Sequence, residues 1–297
     1  MYRFSLMPMI DYSMGWVLDR RAKKLLNDGL PQFVVFSHDF IGTRIALHGY
    51  YERNYLDVVS GFLSEKGYID GGDDFIDIGA NIGNHSLYFA NKFRKVISIE
   101  ASPSIYKVLS VNSCLAPNIY PMNIALGNVN GTVAIRVCRF NRGGSKIVKE
   151  ESLLEGLESE NVDVCRIDDL QIDLSNVAVV KIDVEDMESE VLKGGWKFFS
   201  SIRPVVLFEQ QPNEFRDGKP SATLQLLQEL NYDIYYIHQK PSSPEHRGRV
   251  SVIKYLILGF FFGFSLRVKK IRIFERNIWT VLWNVNCAAK GLTVDVL

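Results

Sequence analysis

From position 73 onward, short continuous apolar runs alternate with segments whose apolar residues recur every three or four positions. Runs of that length bounded by turn residues read as strands buried on both faces. Their alternation with helical periodicity predicts a parallel sheet covered by helices. The predicted strands are 74–78, 95–99, 119–122, 179–182, 205–208, 234–237 and 281–286. Between the third and fourth, residues 132–166 carry two more β-like runs, 133–137 and 162–165, which predict an inserted β-ribbon with a polar loop at 150–160. Ahead of this core the pattern predicts a helix over 16–26 carrying the basic cluster Arg20, Arg21, Lys23 and Lys24. Residues 33–36 and 44–47, separated by turn-prone 37–42, read as a hairpin, and 55–63 as a helix leading to the Gly71-Gly72 break. The division expected is an N-terminal helical and hairpin extension, 1–70, and a catalytic-size domain, 71–297. Segment 250–276 departs from the rhythm: an apolar stretch, 255–264, precedes Arg267, Lys269, Lys270 and Arg272. It is too short for a spanning helix, which needs about 20 residues. A helix packed on the domain and a surface in peripheral contact with membrane both remain open for it.

Composition narrows the picture. With 297 residues and 47% hydrophobic content, the chain can bury a large core. Lys and Arg balance Asp and Glu at 34 each, so no overall field draws it to nucleic acid. Cys114, Cys138, Cys165 and Cys287 form no C-x-x-C pair and read as isolated thiols in a reducing compartment. The N-terminal stretch lacks a sustained apolar core and a small-residue cleavage site, so the expectation is a cytoplasmic protein.

The candidate chemistry gathers at the C-terminal ends of the predicted strands, where open α/β sheets bind ligands. Asp77-Ile78-Gly79-Ala80-Asn81-Ile82-Gly83 carries an apolar strand through an acid into a glycine turn and a helix start. At such a turn a Cβ would obstruct a closely approaching ligand. Dinucleotide sites use G-x-G-x-x-G around a pyrophosphate. Here only Gly79 and Gly83 occur, and Asp77 would repel a diphosphate but suit a cationic ligand. The next strand ends in Glu100, placed to accept both hydroxyls of a ribose. A third block runs from Val179 through Lys181, Asp183 and Glu185 into an amphipathic helix; those three alternate and share one side if the strand persists. Lys181 reads equally well as a structural ion pair or a catalytic group. A fourth strand ends in Glu209.

Taken in order, these blocks resemble the FkbM family of methyltransferases. The resemblance covers roughly 33–209 and rests on Phe75 to Gly83, Ile99-Glu100-Ala101-Ser102-Pro103, Asn123-Ile124-Ala125-Leu126-Gly127, Ile167 to Leu170, Lys181 to Glu185 with Glu188 and Val191 to Gly194, and Phe208-Glu209. It implies a class I, Rossmann-like methyltransferase fold: a mostly parallel seven-stranded sheet whose last strand is antiparallel. It implies S-adenosylmethionine as donor, bound by Asp77, Gly79, Asn81, Gly83, Glu100, Ala101, Ser102, Asn123, Ala125 and Asp183. It also implies O-methylation of a carbohydrate, glycolipid or secondary-metabolite hydroxyl. One position departs from the family: the Glu-Gly that often follows the Lys-Ile-Asp-Val block is Glu185-Asp186 here.

A sugar hydroxyl is a poor nucleophile while protonated, so a general base is expected. Asp183 and Glu185 are the first candidates and Glu209 the next; His85 and His238 lie near ligand-facing ends. Alternatively Asp183, Glu185 and Glu209 hold a hard divalent cation. Two rivals stay open: a non-catalytic S-adenosylmethionine-binding module and a membrane-peripheral interaction protein. Nucleic-acid methylation is disfavoured because the fourth strand end lacks a proline and a stacking aromatic. Arg136, Arg139, Arg142 and Lys146 are candidates to meet an acidic acceptor.

Overall fold

A computed structural model describes residues 7–37, 39–138, 146–147, 157–184, 186–208, 221–241 and 264–270. In chain order the elements are α1 (Met7–Asn27), α2 (Phe40–His48), α3 (Arg53–Glu65), β1 (Asp74–Ile78), α4 (Asn84–Ala90), β2 (Lys95–Ile99), α5 (Pro103–Ser113), β3 (Ile119–Met122), β4 (Ala125–Leu126), β5 (Gly131–Cys138) and β6 (Lys146–Ile147). They continue with β7 (Leu157–Cys165), β8 (Val177–Ile182), α6 (Glu188–Gly194), α7 (Trp196–Ser201), β9 (Val205–Phe208), α8 (Ala222–Glu229), β10 (Tyr235–Pro241) and β11 (Phe264–Lys270).

The central sheet has the order β3-β2-β1-β8-β9, and every pairing in it is parallel. Strand side chains alternate between two cores. Ile76, Ile78, Ile97, Ile99, Val180, Ile182 and Val206 pack with Val191, Leu192 and Phe199 of α6 and α7 and with Leu224 and Leu227 of α8. Phe75, Val96, Val179, Val205 and Leu207 face the other way, against Leu56, Val59 and Phe62 of α3 and Leu87 and Phe89 of α4. Burial on both faces accounts for the continuous apolar runs in the sequence. The topological switch falls between β1 and β8, which places the functional chemistry at their upper ends.

The inserted ribbon forms as expected. β5 pairs antiparallel with β7, and β4 and β6 complete a four-stranded sheet. Of the stretch expected as a loop at 150–160, residues 157–160 belong to β7, and the rest lies outside the described residues.

Two expectations are corrected. The hairpin from 33–36 and 44–47 does not form, because 44–47 lies inside helix α2. Asp39 caps that helix by accepting from the Gly42 N–H, and Gly49 closes it at φ 84. The 33–36 backbone finds its partner in a side chain instead of a strand. Buried Asn112 accepts from the Val34 N–H at 2.8 Å and donates to the Val34 carbonyl at 3.0 Å. In segment 250–276, residues 264–270 form β11, antiparallel to β10, and not the packed helix that was one of the two readings; residues 255–263 of the apolar stretch lie outside the described residues. Of the seven expected strands, five form the central sheet and the sixth, 234–237, lies at the start of β10, which pairs antiparallel with β11, a strand not expected. The strand expected at 281–286 lies outside the described residues.

Candidate active site

Parallel register sets Ser98, Asp77 and Lys181 side by side across β2, β1 and β8. All three point to the α3/α4 face and are buried. Asp77 is fully enclosed. Its Oδ2 accepts from Ser86 Oγ on α4 at 2.6 Å, and Ser86 in turn accepts from Ser98 Oγ at 2.7 Å. Its Oδ1 has no hydrogen bond of good geometry; the Lys181 ammonium, 3.2 Å away, compensates its charge. Lys181 also donates to the Gly79 carbonyl at 2.7 Å and lies 3.2 Å from Asp183 Oδ2. Burial works against the ammonium, but Asp183 and Asp77 outweigh it and hold the Lys181 pKa above its ordinary value. Lys181 is thus the bolt of a buried Asp–Lys–Asp triad that spans the tips of β1 and β8.

The turn after β1 is shaped by backbone demands. Gly79, Asn81 and Gly83 have φ of 73, 50 and 92. A Cβ on Gly79 would sit 1.8 Å from the Asp183 carbonyl oxygen, and the Asp183 N–H donates to the Ile78 carbonyl at 3.0 Å. Gly83 packs on Leu109 of α5. These glycines are therefore required by left-handed backbone and by the neighbouring chain, where the sequence suggested close approach of a ligand.

Glu100 follows β2 on the other side of the turn. Its Oε2 accepts from the Asn81 N–H and its Oε1 from the Ser102 N–H, each at 2.9 Å. A carboxylate has about four acceptor positions, so each oxygen keeps one in reserve. Burial raises the Glu100 pKa from 4.5 to about 7, against the lowering effect of the two backbone hydrogen bonds. Ser102 caps α5 and donates to Glu160 of β7, while Asn123 donates to the Glu100 and Ala101 carbonyls at 2.8 and 2.9 Å. Both residues thus fix the position of Glu100. Ala125 is buried in the third apolar cluster, with Ala101 packed against it.

Beyond the triad, Glu52 ahead of α3, Tyr55, Leu56 and Val59 of α3, His85 and Phe89 of α4, Lys181 to Asp183, and Leu207 and Phe208 line a cavity of about 40 Å³. That is room for a few ordered waters and not for a sugar ring. Desolvation, reinforced by the Lys181 charge and opposed by Asp77 and Asp183, lowers the His85 pKa to about 4. The imidazole is neutral at physiological pH and adds no positive charge. Asp183 itself is 40% exposed at the mouth.

The strand-end residues expected from the sequence thus fall into two groups. Asp77, Lys181 and Asp183 form one connected cluster; Glu100, Asn81, Ala101, Ser102 and Asn123 form a second around the neighbouring strand end. Glu185 and Glu209 lie outside the described residues, as do the side chains of His238, Arg136, Arg139, Arg142 and Lys146. Among the described residues no group of three His, Cys, Asp or Glu side chains is arranged to hold a metal. Ser86 and Ser98 were missed. The signal was Ser98 inside the apolar run Val96-Ile97-Ser98-Ile99, in register with an acid on the next strand.

The family model "Methyltransferase FkbM domain" matches residues 77–234, just over half of the chain. The methyltransferase sdnD of Sordaria araneosa is 28% identical over 193 residues, covering 54% of this chain and 73% of that protein. The hexuronic acid methyltransferase AglP of Haloferax volcanii is 28% identical over 158 residues, covering 52% of this chain and 62% of AglP. A crystal structure of methyltransferase FkbM from Methylobacillus flagellatus is 20% identical with a TM-score of 0.37, the match covering 59% of this chain and 41% of that one.

Proposed function

Because the chain belongs to the FkbM methyltransferase family, we propose that it methylates a hydroxyl oxygen of a carbohydrate acceptor, with S-adenosylmethionine as donor and Asp183 as general base. The observation that carries the reading is the pair of carboxylates, Glu100 and Asp183, on the strand ends flanking the β1 turn. Two features support the donor. The spare acceptor positions of Glu100 suit the two hydroxyls of a ribose. The Asp77–Lys181–Asp183 triad carries a net negative charge, and the His85 beside it is neutral, so among the described residues lining the cavity Lys181 is the one cation. That balance favours a positively charged ligand. When bound, the donor supplies an electrophilic methyl group on a sulfonium.

The chain's own groups do the rest. Asp183 receives the acceptor hydroxyl proton at Oδ1 or Oδ2, and its exposure lets it pass that proton to solvent. Lys181 orients Asp183 by its contact at Oδ2 and orients the turn by its hydrogen bond to the Gly79 carbonyl. Asp77 acts from inside the sheet by holding Lys181, so it positions the site without touching the donor. AglP, a hexuronic acid methyltransferase in the same similarity range, supports a sugar acceptor of acidic character. Such an acceptor meets the protein at the open mouth of this small cavity, beside Asp183, since the cavity itself has space for water and not for a ring.

The test combines labelled donor with a panel of uronic-acid sugars, neutral sugars, RNA and protein. Label in the uronic-acid sugars is expected; label confined to RNA or protein would overturn the reading. For the base, Asp183→Asn should lower turnover by about 10²–10⁴-fold, well beyond any loss of calorimetric donor affinity. Wild-type turnover by that variant would remove Asp183 from the role.

A further inference from the structure

The first helix has no place in that chemistry, and its surface is unusual. Every residue from 8 to 24 is exposed. Among them are seven large apolar side chains within ten positions: Met9, Ile10, Tyr12, Met14, Trp16, Val17 and Leu18. Tyr12 is 80%, Met9 67% and Trp16 55% exposed. A helix that packs on its own domain buries one apolar stripe and shows water a polar face. Here Ile10, Met14 and Val17 form one stripe, while Met9, Tyr12 and Trp16 stand on a different side, so no single packing partner covers both. Asp11 is the one charged residue in that ten-residue stretch; Asp19 and then Arg20, Arg21, Lys23 and Lys24 follow it directly.

We propose that α1 is an interfacial membrane anchor: its apolar half enters the headgroup boundary of a bilayer, and its basic collar meets anionic lipid. Three observations select a lipid surface over a protein. First, apolar groups on several sides suit a medium that surrounds the helix, whereas a partner helix needs one seam. Second, the best seam, Ile10-Met14-Val17, runs into Arg21 and Lys24 and ends after two turns, too early for a paired coil of two copies. Third, the basic cluster follows the apolar half directly, which is complementary to an anionic surface over an apolar interior. Asp19 pairs with Lys23, and Asp28 with Lys24, at 2.8 and 2.7 Å, but both pairs are exposed. Exposed pairs are weak enough to yield to headgroup phosphates, and Arg20 and Arg21 remain outside them. No helix among the described residues is long and apolar enough to cross a membrane, so α1 lies in the interface and does not span it. α1 rests on α2, whose Ile45 packs in one cluster with Ile82 of the β1 turn, so the anchor stands one element away from the donor turn.

The proposal is independent of the acceptor's identity, and it is tested on the full chain with vesicles of phosphatidylcholine alone or mixed with phosphatidylglycerol. Flotation with the mixed vesicles is expected, lost at high salt and weak with phosphatidylcholine alone. Ile10→Glu with Trp16→Glu should abolish flotation while thermal melting and donor binding stay unchanged. Arg20→Ser with Arg21→Ser should weaken partitioning by about 25-fold, roughly fivefold for each charge. Brominated lipid should quench wild-type fluorescence more than that of Trp16→Phe. Failure of the full chain to float with either vesicle overturns the proposal. So does a lipid-free dimer that the Ile10/Trp16 double variant converts to monomer, which would assign the surface to a second copy. Shielding of Trp16 from acrylamide in the free protein would assign it to another part of this chain and overturn the proposal equally.

Discussion

Glu100 should make both folding and donor binding depend on pH, and Glu100→Gln isolates the effect. Its carboxyl is raised from 4.5 to about 7 because burial removes water from the ionised form faster than two backbone N–H groups replace it. For a group whose folded pKa is raised, the stability contribution is fully present below the unfolded pKa. It is lost as pH rises through the folded value. The window therefore runs from 4.5 to about 7. A shift of that size corresponds to roughly 3 kcal/mol of stability lost between its ends. Gln cannot ionise, so the variant lacks this loss. It also turns an amide NH₂ toward either the Asn81 or the Ser102 N–H, costing about 1–3 kcal/mol at every pH. The absolute change at one pH is thus a mixture, and the slope is the diagnostic. Urea unfolding near pH 5 and near pH 8 should show wild type losing about 3 kcal/mol more than Glu100→Gln. Calorimetry should show wild-type donor affinity weakening about tenfold from pH 8 to pH 6, as the competent ionised fraction falls. Glu100→Gln should bind weakly and without that trend. Parallel stability curves for the two proteins would refute the reasoning at its first step.

Three other outcomes follow from the same geometry. Lys181→Met should destabilise by about 3–5 kcal/mol in chemical unfolding, because Asp77 is left as a buried, unpaired charge. The double variant Lys181→Met/Asp77→Leu should recover a large part of that loss. Asp186 adopts φ 72, a conformation that costs most L-residues about 1–2 kcal/mol, so Asp186→Gly should be more stable than Asp186→Ala by about 1 kcal/mol. Replacing Asn112 by Ala should cost about 1–3 kcal/mol and expose 33–36 to limited proteolysis, since the Val34 N–H and carbonyl lose their partners.

The parallel core was legible because each of its strands is buried on two faces, which leaves an unbroken apolar run in the sequence. The 33–36 and 44–47 error shows where that signal fails. A short apolar run says that a segment is buried, and not which group satisfies its backbone. Asn112, almost eighty positions away, supplies that partner, and no local pattern announces it. The Asp39 cap and the Gly49 stop were present in the sequence and marked α2 correctly, had they been weighed above the apolar alternation. At the site, position was readable and role was not. Asp77 was expected against the donor because it ends a strand before a glycine turn. Register sets it beside Lys181 and Ser98, a buried pairing that the strand's own sequence does not announce. Asp186, standing where the family often has glycine, adopts φ 72, a left-handed backbone that glycine takes without strain.

The contact between the Gly79 α-carbon and the Asp183 carbonyl has a mechanical corollary. Two loops joined so tightly, and laced further by Lys181, cannot hinge against each other. The spacing between the β1 turn and the Asp183 carboxylate is consequently set by the scaffold itself. Entry and exit of small molecules must then be timed by whatever borders this bracket, and the bracket itself works as a fixed gauge.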